Sequence, residues 1–188
     1  MDCAPFEPSL YIVKGIVIMD NDGNRLLANY YDKKAFPSTK EQKAFEKNLF
    51  SKTHRAAAEI IMLDGFICVY RSHVDLFFYI IGSAQENELL LMSALNTVYD
   101  SVQQILRKNV EKRALIDNLD VVILAIDEIC DRGILLDADA SSVVSRVALR
   151  ADDIPIGEQT VAQVSFRNYI FWKCSSLPSA FLSRRVTC

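Results

Sequence analysis

No apolar run in this chain approaches the roughly 18 to 20 residues that a membrane-spanning helix requires, although 51% of its 188 residues are hydrophobic and its mean hydropathy is +0.12. A secretory leader is not expected either: Met1 to Ser9 contains Asp2, Glu7 and two prolines, with no basic start and no apolar core. The five cysteines (Cys3, Cys68, Cys130, Cys174, Cys188) include no Cys-x-x-Cys pair and form an odd set. They read as reduced thiols of a cytosolic protein, not as a disulfide framework or zinc site. Histidine is nearly absent, with only His54 and His73. Neither has a cysteine or carboxylate at ligand spacing; His54 suits the end of a helix and His73 a turn. There is no phosphate loop, and Gly82-Ser83-Ala84 lacks the second glycine of a nucleophile elbow. Metal, cofactor and catalytic sites are therefore not expected.

Acidic residues are missing from Ser165 onward, where Arg167, Lys173, Arg184 and Arg185 stand alone. The net charge of −3 thus leaves −7 on residues 1–164, which argues against nucleic acid as a partner. A single domain of this length buries about two-thirds of its unfolded surface, so the surplus apolar content must lie in the core or against a partner.

What is present begins with YIVKGIVIM, DNDGN and RLLANYY over Tyr11–Tyr31, two β-rich runs joined at Asp22-Gly23. That is a hairpin signal, because glycine accepts positive φ without a Cβ clash. Asp20, Asp22 and Asn24 share the alternate spacing of a calcium loop, but Arg25 and Tyr31 stand where that loop needs glycine and glutamate. Ser38 and Glu41 form a capping box for a helix over Thr39–Lys52, with Phe45 and Leu49 on its apolar side. Three strands follow, Glu59–Leu63, Phe66–Tyr70 and Leu76–Ile81, with turns at Asp64-Gly65 and Arg71-Ser72-His73. LFFYII is apolar on both faces, which places it mid-sheet.

A helix is expected over Asn87–Val110, with Leu91, Ala94, Leu95, Val98, Val102, Ile105 and Leu106 in one stripe and Leu89 nearly opposite. A second is expected over Glu111–Asp131, ended by Gly133, and shorter ones over Asp139–Arg150 and from Ile156 to Val164. Asp127 and Glu128, adjacent on a helix, diverge too far for an acid/base pair and suit helix-end solvation. Arg107, Lys108, Lys112 and Arg113 form a basic cluster suited to a helix end, or to acidic lipid or an acidic partner. The fold class is α+β, a five-stranded antiparallel sheet flanked by helices on both faces.

Several stretches carry a resemblance: SLYIVKGIVIMDNDGNRLLANYY, KEQKAFEKNLF, HVDLFFYIIGSAQENELLL, LRKNVEKRAL and LAIDEICDRGIL. In these the chain resembles the coatomer zeta subunits of the adaptor-complex small-subunit family, from about Pro8 to Val164. The resemblance implies a longin-like fold and a non-enzymatic role without cofactors. It also implies a vesicle coat in which the small subunit pairs with the coatomer gamma subunit within a heptamer. A small GTPase would recruit that coat to the cytoplasmic side of Golgi membranes. The other reading of the same plan is a longin-type regulatory module that binds a SNARE or a small GTPase.

On this basis residues 1–9 form a short extension, 10–150 the longin-like domain, 151–164 the start of a C-terminal helix and 165–188 a tail that departs from the family pattern. Leu89, Leu90, Met92 and Tyr99, off the main stripe of the long helix, and Ile116 and Ile123 on the next, are the expected partner-binding residues.

Overall fold

The computed structural model describes residues 9–54 and 59–152. Alternation of side chains builds the sheet first. In β1 (Val13–Asp20), Ile16 and Ile18 enter one core while Val17 and Met19 enter another on the opposite face. The strand returns as β2 (Arg25–Tyr30) through the Asp22-Gly23 turn, where Gly23 has φ +76°. β3 (Ile60–Leu63), β4 (Phe66–His73) and β5 (Leu76–Ser83) complete a five-stranded antiparallel sheet of order β2-β1-β5-β4-β3. LFFYII is the middle strand, buried on both faces as its composition requires. The turn after β4 comes later than the sequence suggests. Arg71-Ser72-His73 stays in the strand, paired with Leu76–Phe78, and the reversal falls at Val74-Asp75.

One helix covers one face. α1 (Thr39–Thr53) presses Phe45 and Leu49 onto Val17, Met19, Tyr79 and Ile81. Its capping box is modified: Ser38 Oγ accepts from the Glu41 N–H at 3.3 Å, while the Ser38 hydroxyl donates to the Glu41 carboxylate at 3.0 Å. The opposite face carries α2 (Glu88–Ile105), whose Leu91, Leu95, Val98 and Val102 meet Ile16, Ile18, Phe78 and Ile80.

The single helix expected over Glu111–Asp131 is in fact two, α3 (Lys112–Asp117) and α4 (Leu119–Ile129). The break is Asn118, whose side-chain amide donates to the Ala114 carbonyl at 2.9 Å while its backbone leaves helical geometry. Gly133 does not end that helix. A small hairpin of β6 (Cys130–Asp131) and β7 (Ile134–Leu135) intervenes, turning at Arg132 (φ +48°) and Gly133 (φ +91°). α5 (Ala140–Asp152) then packs on α2 and α4. The helix expected from Ile156 and the tail from Ser165 lie outside the described residues.

Candidate docking surface

The polar groups that invited a chemical reading are spent on structure. Asp20 Oδ1 accepts from the N–H groups of Asp22 (3.0 Å) and Asn24 (2.7 Å), and its Oδ2 from the Asn24 amide (3.1 Å) and Lys112 Nζ (2.7 Å). Burial pushes the Asp20 pKa up, but hydrogen bonds from Lys112 and Asn24 outweigh it and hold the carboxyl below its ordinary range. Such a carboxylate organises a turn. Among the described residues no group of three His, Cys, Asp or Glu side chains could hold a metal ion. His54 packs its ring 4.9 Å from Phe50, and His73 lies 5.6 Å from Tyr99. Cys68 and Cys130 are free and buried, and burial raises their thiols to about 12 and about 11.

Glu128 is more than a solvated helix end. It accepts from Arg146 Nε at 3.1 Å, and Arg146 also reaches Asp137 at 2.8 Å, so one guanidinium pins α5 to α4. The basic cluster divides in the same way. Lys112 faces inward to Asp20, and its backbone N–H donates to Asp75, which caps α3. Arg107, Lys108 and Arg113 remain exposed, the first two in left-handed backbone that closes α2 through Gln104 and Gln103 carbonyls.

The six expected partner residues separate clearly. Leu89 and Leu90 are exposed at 77% and 45%, while Met92 and Ile116 are partly buried against the core. Tyr99 and Ile123, at 3% and 4%, are core residues of the chain itself and offer a partner no surface. A helical wheel puts Tyr99 off the main stripe, but β4 extends beneath that side of the helix. The ring meets Phe78 edge-on at 5.5 Å with the Arg71 guanidinium 3.9 Å above it. Ile123 sits on α4, which is covered by both α2 and α5.

Strand register gathers exposed apolar residues that periodicity could not. Val13 opens β1 opposite Gly82 near the end of β5, and Phe66 opens β4 opposite Ser83. The Val13 N–H donates to the Gly133 carbonyl at 3.0 Å, which brings the β6–β7 hairpin to the same end, where α2 also starts. Among the described residues, six of the eight exposed large apolar ones (Leu10, Tyr11, Met62, Leu89, Leu90 and Leu136) therefore lie at this one end. A monomer rarely leaves such residues grouped. From Leu89, a groove of about 800 Å³ runs along the outer side of α2 past Asn96 and Gln104 to Arg107 and Lys108, bounded by Ala138–Ser141. Leu10 and Leu136 stand outside any periodic segment, and Tyr11, which opens the first β-rich run, precedes β1 itself.

Comparison with known proteins places this geometry. Residues 12–153 match the family described as clathrin adaptor complex small chain. The chain is 57% identical to human coatomer subunit zeta-1 over 174 residues, covering 92% of this chain and 98% of that protein. It is 51% identical to human coatomer subunit zeta-2, covering 88% and 80%. Against coatomer subunit zeta-1 of Arabidopsis thaliana it is 40% identical, covering 80% and 88%. A chain of a homology model of the full-length AP-3 complex in a stretched open conformation shares the fold. That match has a TM-score of 0.56 and 16% identity, covering 74% of this chain and 94% of that one.

Proposed function

Because the chain belongs to the clathrin adaptor complex small chain family, we propose that it is the zeta-type small subunit of a coatomer vesicle coat. Members of this kind are structural coat components, and the chain is not an enzyme. Its direct partner is the coatomer gamma subunit, within a heptamer that a small GTPase recruits to the cytoplasmic face of Golgi membranes. The coat serves Golgi-to-ER retrieval and intra-Golgi transport. The observation that carries this reading is the 57% identity over nearly the whole length of a coatomer zeta subunit.

The apolar end supports it. A permanent subunit interface commonly buries 2,000 Å² or more and is richer in apolar area than free surface. Of the six expected residues, Leu89 and Leu90 are exposed and Met92 and Ile116 partly buried, so these four can contribute to such a contact.

The test is co-expression of the full chain with the gamma-subunit trunk, followed by affinity capture and size exclusion. A soluble one-to-one complex is expected. A stable monomer that gamma does not retain, and that instead binds a small GTPase in a nucleotide-dependent way, overturns the proposal in favour of a regulatory module.

A further inference from the structure

The groove along the outer side of α2 changes in character over its length. Leu89 and Met92 make one end apolar. The middle offers the side-chain amides of Asn96, Gln103 and Gln104, which both donate and accept hydrogen bonds. The far end is basic, with Arg107 and Lys108 both exposed. The bases ion-paired within the described residues are Lys14, Arg25, Lys112 and Arg146, and these two are not among them.

The backbone at that end is a second, independent observation. Arg107 and Lys108 are consecutive left-handed residues, at φ +51° and +69°. One such residue is enough to close a helix, and glycine or asparagine is the usual choice. Asn109 follows directly, yet the left-handed positions fall on the two bases before it. Strain of this kind persists where the surroundings or a ligand make use of it.

These features select an occupant. From Leu89 to Arg107 the helix rises about 27 Å, so a volume of about 800 Å³ leaves a mean cross-section of about 30 Å², too narrow for a helix 10–12 Å across. An extended segment of about eight residues spans that length. A second copy laid two-fold along α2 would set Arg107 and Lys108 against Leu89 and Met92. The chain's own residues from Ser165 onward would bring bases and no acid to a basic end. Asp100 lines the middle of the groove. Asp139, on the facing wall, accepts from the Ser141 and Ser142 N–H groups at 3.1 and 3.2 Å. Acid is therefore matched at the Arg107–Lys108 end alone.

We propose that the groove holds an extended segment of the coatomer gamma subunit, acidic at Arg107 and Lys108 and apolar about eight residues away at Leu89 and Met92. This rests on the reading of the chain as the zeta-type partner of gamma. It carries the contact from the exposed Leu89–Leu90 pair along the whole of α2.

The test is titration of the full chain with the gamma-subunit trunk at low and high salt. Arg107→Glu/Lys108→Glu should weaken binding several-fold at low salt, with the difference narrowing at high salt. Arg113→Glu, an exposed base outside the groove, should bind as the unaltered chain does. Arg107→Gly/Lys108→Gly separates binding from folding. Glycine accepts the left-handed backbone, so stability in urea should be kept or raised while affinity falls several-fold. Lys108 should also acylate several-fold more slowly in the complex than in the free chain. Normal binding by both double variants overturns the inference and leaves the proposed function standing, because the unaltered chain still binds gamma. A loss that is as large at high salt, or equal weakening by Arg113→Glu, overturns it as well. Failure of the unaltered chain to bind gamma overturns the proposed function and this inference with it.

Discussion

Lys112 and Asp20 meet at 2.7 Å across 92 residues of sequence, with the Asp20 side chain 2% exposed and that of Lys112 35% exposed. The contact ties the first hairpin to the start of α3, and Asp75 holds the same residue by its backbone N–H at 3.1 Å. A four-residue turn, a β-hairpin and a helix N-terminus thus share one lysine.

Removing the ammonium should have a moderate cost. Asp20 keeps three N–H donors, and the partly exposed lysine is screened by water, so Lys112→Met should lose about 1 kcal/mol in urea unfolding. The pH response has a definite sign. The folded pKa of Asp20 lies below its ordinary value of 3.8, so its contribution is complete above that value and fades as pH falls through the lower folded one. Asp20→Asn should therefore unfold less steeply than the parent as pH falls below about 4.

A second ion pair is more enclosed. Arg25 and Glu46, whose side chains are 9% and 5% exposed, join β2 to α1, and Glu46 also accepts the Tyr30 hydroxyl at 2.8 Å. Arg25 Nε donates to Glu46 at 2.9 Å, whereas Nη2, at 2.6 Å, makes a close ionic contact without aligned hydrogen-bond geometry. Glu46→Leu strands a buried guanidinium and should cost about 3 to 5 kcal/mol. The double change Arg25→Met/Glu46→Leu should cost less than the single one in the same unfolding measurement. If it costs more, the pair stabilises beyond its desolvation.

Two hairpin glycines provide a matched comparison. Gly65 (φ +81°) turns β3 into β4 with nothing within 4 Å of where a Cβ would stand, so Gly65→Ala should cost about 1 kcal/mol from backbone strain alone. Gly133 (φ +91°) would carry a Cβ 2.5 Å from the Val13 carbonyl oxygen. Gly133→Ala should cost at least about twice as much, with faster hydrogen exchange at Val13, whose N–H bonds the Gly133 carbonyl.

The fold was legible because its signals are local and periodic. Two β-rich runs joined at Asp22-Gly23 marked β1 and β2, a doubly apolar run marked the central β5, the Ser38–Glu41 capping box marked the start of α1, and an apolar stripe marked α2. Errors arose where a distant partner decides. VVILAI continues a helical stripe, yet the Asn118 side chain breaks the helix before it, and Gly133 is claimed by a hairpin docked on β1. The exposure of the six expected partner residues was only partly legible for the same reason. A wheel reports angle about one helix, and β4 lies beneath the angle that Tyr99 occupies.

That distinction can be measured. Leu89→Asp/Leu90→Asp changes exposed positions, so it should alter stability by less than about 0.5 kcal/mol while weakening capture by the gamma trunk. Tyr99→Ala removes a core ring packed on Phe78 and should lose about 3 to 5 kcal/mol. Weakened capture by Tyr99→Ala alone, with the double aspartate variant retained normally, would move the interface away from the α2 start.

Val74 carries strain that nothing offsets. It is β-branched, 75% exposed, and held at φ +52° in the turn between β4 and β5, where a branched side chain crowds its own carbonyl. Its apolar surface contributes little to the core, so relief of the backbone should decide the sign of a substitution. Asparagine tolerates left-handed backbone far better, and Val74→Asn should raise stability by about 1 kcal/mol in urea unfolding. Asp75, the next residue, caps α3 through Lys112; hence the variant should also leave the Lys112 amide as protected as before. Loss of that protection would mean that Val74 sets the turn geometry on which the cap depends.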